Sequence, residues 1–284
     1  MHKMLRQFSE VVRFEQTLFA VPFAFAGMLL AKHSVPAITT WIWVALAMFG
    51  ARTAGMAANR LIDKNIDALN PRTQDRAYPA GRISRATLLT WMTASAGLLA
   101  LASKMLNPLC FALCPLAVFL LMFYSYTKRF TWACHLVLGL VQACAPIGGW
   151  LAVAGHFALT PLLMGLAIFA WVAGFDVVYA CQDYEHDIAH GVFSVPARFG
   201  KERAFTIARS LHALTLTLLL SVGFLTGMGI VYFSALAMVT TLLIWQHQIL
   251  SPNDLSRLQQ AFFNANASIS VALFGGILFE VVKN

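Results

Sequence analysis

Long apolar runs broken by short polar turns account for most of this chain. Runs of about 20 residues recur near 16–33, 40–62, 86–104, 107–127, 132–154, 161–182, 204–223, 228–249 and 260–281. A helix of that length crosses a hydrocarbon layer of about 30 Å. Helix-breaking residues fall between the runs, as in Ser34-Val-Pro36, Asn107-Pro108, Gly155-His156, Thr160-Pro161, Gly227 and Ser251-Pro-Asn253. The pattern predicts an all-α integral membrane protein with nine transmembrane helices, residues 1–284 forming a single domain. Ahead of the first run, Lys3, Arg6, Glu10, Arg13 and Glu15 alternate with Leu5, Phe8, Val11, Val12 and Phe14. That is the pattern of a short helix lying in the membrane interface.

Polar positions interrupt the runs in two places. Asn59, Asp63 and Asp67 recur every four residues at the end of the second run, with Arg52 seven residues before Asn59. Asp176, Asp183 and Asp187 repeat the spacing of seven and then four at the end of the sixth run. Four residues is one helical turn and seven is two turns less about 20°, so each set lies on one helix face. Two long loops follow these stripes, near 64–85 and 183–203. Asp63, Asp67, Asp75, Asp176, Asp183, Glu185 and Asp187, seven of the 12 acidic residues, lie in or beside them. Ionisable groups at the edge of an apolar span are costly and mark a functional site by default.

Composition agrees with a lipid-dissolved chain. Hydrophobic residues make up 59% and charged residues 11%, and the mean hydropathy is +0.70. The net charge of +8 would point to nucleic acid in a soluble protein, but its distribution explains it otherwise. With the N-terminus in the cytoplasm, the cytoplasmic side holds 16 of the 20 Lys and Arg residues, among them Arg60, Arg72, Arg76, Lys128 and Arg129. The outer side holds Lys32, Lys104 and Lys283, and Arg52 lies within a span. This positive-inside bias places both stripes on the cytoplasmic face of the inner membrane and removes the need for a nucleic-acid partner. The five cysteines, Cys110, Cys114, Cys134, Cys144 and Cys181, lack metal-ligand spacing and read as apolar packing residues.

Clustered carboxylates repel one another unless cations neutralise them. Paired Asp residues on facing helices, with no Cys or His set beside them, suit Mg²⁺, which takes oxygen ligands and shares one or two carboxylates with substrate phosphates. Arg72 and Arg76 follow the first stripe, and Tyr124 and Lys128 end the fourth run. Arg and Lys beside Asp and Mg²⁺ compose a site for a diphosphate.

At these residues the chain resembles the UbiA superfamily of intramembrane aromatic prenyltransferases. The family's NxxxDxxxD motif stands as Asn59, Asp63 and Asp67, followed by Arg72, Arg76, Pro79 and Gly81. Its YxxxKR element is Tyr124, Lys128 and Arg129, and its second DxxxD is Asp183 and Asp187 with Asp176 upstream. Arg60 departs from the pattern, since many members carry Asp after the Asn. The resemblance implies nine helices around a central chamber, capped by the two acidic cytoplasmic loops. It implies that Asp63, Asp67, Asp183 and Asp187 hold Mg²⁺ against a polyprenyl diphosphate, with Asn59 assisting. Arg72, Arg76 and Lys128 then neutralise the departing diphosphate, and Tyr124 donates to it. In the family the residue matching Arg52 is associated with the carboxylate of an aromatic acid acceptor. A structural pairing of Arg52 with Asp176 is the competing role. Asp176 itself is a candidate to orient or deprotonate the phenol.

The expected activity is transfer of a polyprenyl group to a hydroxylated aromatic acid in quinone biosynthesis, with membrane lipid as surroundings. The run from Arg52 to Asp63 resembles members that take 4-hydroxybenzoate. It is also similar to a branch that takes a dihydroxynaphthoate for menaquinone. An ion-coupled transporter is the alternative from another class, but it has no need of Arg72, Arg76 and Lys128 beside the acidic set. A CDP-alcohol phosphotransferase would carry a D-x2-D-G-x2-A-R run, which is absent.

Overall fold

The computed structural model describes residues 2–32 and 34–283, without the side chains of residues 2–5 and 14–19. Lys3, Leu5, Phe14 and Glu15 of the amphipathic pattern, and His33 at the end of the first run, lie outside what is described. Helix α1 (His2–Val12) meets α2 (Phe14–Lys32) at Arg13, whose φ of +49° is the one left-handed non-glycine conformation among the described residues. There follow α3 (Ile38–Leu69), α4 (Arg85–Leu106), α5 (Pro108–Thr127), α6 (Cys134–Ala154) and α7 (Leu159–Ala180). Two short helices, α8 (Tyr184–His190) and α9 (Val195–Phe199), precede α10 (Lys201–Leu225), α11 (Ile230–Ile249) and α12 (Asn266–Lys283). A 3₁₀ turn (Cys181–Asp183) joins α7 to α8, and a π-helical stretch (Gln260–Ala265) leads into α12.

Eight segments among the described residues are long and apolar enough to cross a membrane, and α2 adds a shorter apolar helix over Ala20–Lys32. Eight of the nine expected spans are thus matched by helices of spanning length, the first corresponds to the shorter α2, and the connections differ from expectation in two places. Helix α3 runs to Leu69 rather than ending near residue 62, because Pro71 is the first residue to bar continuation. Asp63 and Asp67 both lie on this helix, as their four-residue spacing requires, and the loop expected near 64–85 shrinks to 70–84. The second long loop is largely helical. Ser194 Oγ accepts the Ala197 N–H at 3.2 Å to start α9, with Pro196 in its first turn. The last span begins with the π-helical stretch, where Gln246 of α11 donates to the Ala261 carbonyl at 2.8 Å and to Asn266 Oδ1 at 2.9 Å.

Helices α2, α6, α7, α10, α11 and α12 share one apolar core, in which Phe23, Met164, Trp171, Leu219, Tyr232 and Leu273 are fully buried. In lipid, helices are held by close packing rather than by the hydrophobic effect, so small residues lie where backbones meet. Gly27 of α2 faces the Pro146 carbonyl of α6, and Gly149 of α6 faces the Ala24 carbonyl of α2. A Cβ at either position would overlap backbone atoms. This contact brings α2 and Arg13 against the end of α6 that carries the site.

Candidate active site

The C-terminal ends of α3, α5 and α7 and the N-terminal end of α6, with the connections 70–84 and 181–194, enclose a cavity of about 290 Å³. All eleven candidate site residues line it: Arg52, Asn59, Asp63, Asp67, Arg72, Arg76, Tyr124, Lys128, Asp176, Asp183 and Asp187. Trp171, Phe175 and Phe262 form part of its apolar wall. The four-residue spacing turns Asn59, Asp63 and Asp67 of α3 inward together, all three buried.

Each acidic ligand candidate on α3 is engaged by basic residues. Asp63, 1% exposed, accepts from Lys128 Nζ at 2.6 Å and Arg129 Nη1 at 3.1 Å. Asn59 Nδ2 donates at 2.6 Å to Asp63 Oδ2, the oxygen that Lys128 also meets, and lies 3.4 Å from the Tyr124 hydroxyl. Asp67 receives Arg76 Nη1 at 2.8 Å on both oxygens and has Arg60 Nη1 at 3.8 Å. Asp183, at the end of the 3₁₀ turn, is held by Arg72 through Nε at 2.9 Å and Nη2 at 2.5 Å, and by Asn70 Nδ2 at 2.9 Å. The Ser194 hydroxyl donates to Asp187 at 2.8 Å. Burial works against the charge of Arg72, but the hydrogen-bonded Asp183 carboxylate outweighs it and holds the guanidinium pKa above its ordinary value.

The basic residues expected to hold a diphosphate thus hold the carboxylates expected to hold a metal. Charges this buried are stable only when paired, and the pairing neutralises both sets. Among the described residues no three His, Cys, Asp or Glu side chains converge on one point. Magnesium needs no such cage, since it takes one or two carboxylates and completes its shell with water and phosphate oxygens. The all-oxygen donor set, split between α3 and the 181–187 segment, fits an ion that arrives with a phosphate.

Four cavity residues had no assigned role in the sequence. Arg60, 5% exposed, also donates to Asn59 Oδ1 at 3.2 Å. Its departure from the family pattern was legible, but its inward direction was not. Arg13 enters the cavity from the α1–α2 corner, a non-local placement. Asn70 follows the first stripe by three residues and reaches the second. His135 of α6 pairs with Asp176, Nδ1 to Oδ2 2.7 Å. No spacing in the sequence marked it. Arg52 Nε donates to the Val12 carbonyl at 3.3 Å, tying α3 to the end of α1. His186 and His190, one turn apart on α8, stack on each other with ring centroids 4.1 Å apart.

A second cavity of about 330 Å³ shares Arg52, Met56, Tyr124, Leu138 and Gln142 with the first. It runs between α3, α4, α5 and α6 to Leu106, Leu151 and Phe157 at the opposite ends of those helices. Its wall is apolar apart from the shared residues and Ser103. Cys110 and Cys114 lie in that wall, and all five cysteines are free thiols, as their setting predicts.

The profile of the UbiA prenyltransferase family matches residues 20–268. The chain is similar to the 4-hydroxybenzoate octaprenyltransferase of Sodalis glossinidius, 30% identical over 254 residues that cover 89% of this chain and 87% of that protein. The protein of the same name from Vibrio cholerae is 30% identical over 261 residues, covering 90% and 89%. Among solved structures, a UbiA homologue from Aeropyrum pernix in its apo form superposes with a TM-score of 0.86 at 30% identity, covering 94% of this chain and 98% of that one. A UbiA homologue from Archaeoglobus fulgidus, bound to DMAPP and Mg²⁺, shares the fold at 20% identity and a TM-score of 0.72, covering 97% and 99%. This chain belongs to the UbiA prenyltransferase family.

Proposed function

We infer that the protein is an aromatic polyprenyltransferase of the cytoplasmic membrane. It transfers a polyprenyl group from an allylic diphosphate to a hydroxylated aromatic acid of the 4-hydroxybenzoate type, with the polar cavity facing the cytoplasm. One observation carries this reading: the charged cavity and the long apolar cavity meet at Arg52 and Tyr124. An amphipathic substrate with a diphosphate head and an isoprenoid tail fits that junction, with its head among the Asp, Arg and Lys residues. Small-ion transport gives no reason for an apolar channel joined to the charged site.

The roles follow from charge. An allylic C–O bond ionises only when the departing diphosphate is stabilised. Arg72, Arg76 and Lys128, now on carboxylates, are placed to turn to phosphate oxygens, with the Tyr124 hydroxyl as a further donor. Asp63, Asp67, Asp183 and Asp187 are the residues that would hold Mg²⁺, which supplies Lewis-acid charge to the leaving group. Trp171, Phe175 and Phe262 keep water from the allylic carbon. Arg52, at the junction, is the anchor for the acceptor's carboxylate, and Asp176 faces its phenol.

The test is an acceptor panel in membranes containing the protein. With one polyprenyl diphosphate and Mg²⁺, 4-hydroxybenzoate should be prenylated and its ring analogue lacking the hydroxyl should not. Preference for a dihydroxynaphthoate would move the acceptor to the menaquinone-type branch. No product from either phenolic acid would overturn the reading.

A further inference from the structure

Asp176 and His135 form a pair that none of the diphosphate chemistry requires. Asp176 lies on α7, seven residues before Asp183, and its side chain is 24% exposed on the cavity wall. His135, in the first turn of α6, reaches the carboxylate with Nδ1 2.7 Å from Oδ2, and its own side chain is 6% exposed. The carboxylate can only accept, so Nδ1 carries the proton of that bond. The other ring nitrogen, Nε2, is buried without a hydrogen-bond partner. A histidine satisfied on one nitrogen only is a poor choice for filling space, where a leucine would leave nothing unpaired. Its one bond is spent on the carboxylate that faces the cavity.

We propose that His135 is the positioning residue for Asp176, and that Asp176 so held is the proton acceptor for the aromatic substrate. The proposal rests on the acceptor being a phenol, as inferred above. The Nδ1–H bond fixes the Asp176 carboxylate and keeps one oxygen occupied, which leaves the other directed to the substrate hydroxyl. Asp176 takes the phenol proton, and the freed oxygen electron pair raises electron density at the ortho carbon. The ring π pair forms the new C–C bond as the allylic C–O bond breaks with its electrons on the diphosphate. The ortho carbon then loses its hydrogen as a proton to the diphosphate, and Asp176 returns its proton to the oxygen. Atoms and charge balance with no further reagent.

The experiment compares the full-length wild type, His135→Ala and His135→Asn in membranes. Asn places a side-chain N–H near the position of Nδ1, so it keeps the bond to Asp176. With 4-hydroxybenzoate, His135→Ala should lower kcat about 100-fold, the low end for loss of general base catalysis. The KM for polyprenyl diphosphate should stay within about twofold, and His135→Asn should recover most of kcat. With a fluorinated 4-hydroxybenzoate whose phenol is already ionised at the assay pH, the deficit of His135→Ala relative to wild type should shrink below about tenfold. Equal kcat losses in both variants, or a deficit unchanged by pre-ionising the phenol, would overturn the proposal. If His135→Ala does not fold, the same ratio of acceptors measured on Asp176→Asn decides it. Absence of product from the wild type with either acceptor overturns the functional reading itself, and is distinguished by that.

Discussion

Lys128 Nζ lies 2.6 Å from Asp63 Oδ2, so a residue matching the diphosphate-holding element of the family neutralises one matching its metal-holding element. Arg76 with Asp67 and Arg72 with Asp183 repeat the relationship. Binding a metal alone would free these cations inside a buried site, and binding a diphosphate alone would free the carboxylates. Binding both exchanges one set of pairs for another. Coupling of this kind is reciprocal.

Metal and diphosphate should therefore bind together. The affinity for Mn²⁺, used as a spectroscopic stand-in, should rise at least about tenfold when inorganic pyrophosphate is present, near the middle of the usual coupling range. Lys128→Ala should reduce that coupling, and a chelator should abolish prenyl transfer. Equal Mn²⁺ affinity with and without pyrophosphate would contradict the exchange.

Arg52 is tied to the Val12 carbonyl and lines both cavities, at the point where head and tail sites meet. Arg52→Ala should raise the KM for the acceptor by about 10-fold or more, the scale of one charge-assisted contact, and leave that for the diphosphate within about twofold. Steady-state kinetics with each substrate varied in turn checks this. A parallel rise in both would refute the carboxylate anchor.

The apolar cavity sets what tail the enzyme accommodates. Ala47 of α3 lines it away from the charged residues. Ala47→Phe should lower kcat/KM for a long polyprenyl diphosphate by about tenfold relative to a five-carbon one, since overfilling a packed space costs about 1–3 kcal/mol. Competition between the two donors reads the ratio directly.

The contact of α2 with α6 depends on two glycines whose backbones meet the opposing helix. Gly149→Leu should destabilise the protein by about 3 kcal/mol, the upper range for overpacking, and Gly148→Leu should cost far less. A Cβ at Gly149 meets the Ala24 carbonyl, whereas at Gly148 it meets nothing within 4 Å. Thermal unfolding in detergent compares the pair.

Membrane crossing, the all-helical class and the face that carries the first polar stripe were legible in the chain because each depends on local order. Twenty apolar residues suffice to predict a span, and a period of four suffices to place Asn59, Asp63 and Asp67 on one face. Motif order carried the family. Boundaries were less legible: nothing local ended α3 before Pro71, so the helix that carries the first acidic stripe runs on to Leu69, past the span end expected near residue 62. The partners of each charge were decided only by the tertiary structure. That Asp63 meets Lys128, that Arg60 turns inward, and that His135 stands behind Asp176 all depend on how α3, α5, α6 and α7 pack. The Asp63–Lys128 and His135–Asp176 contacts join residues 65 and 41 positions apart, a separation across which no sequence period survives. Close backbone approach between those helices, as where Gly139 of α6 faces the Phe169 carbonyl of α7, brings the polar ends of the spans around one cavity.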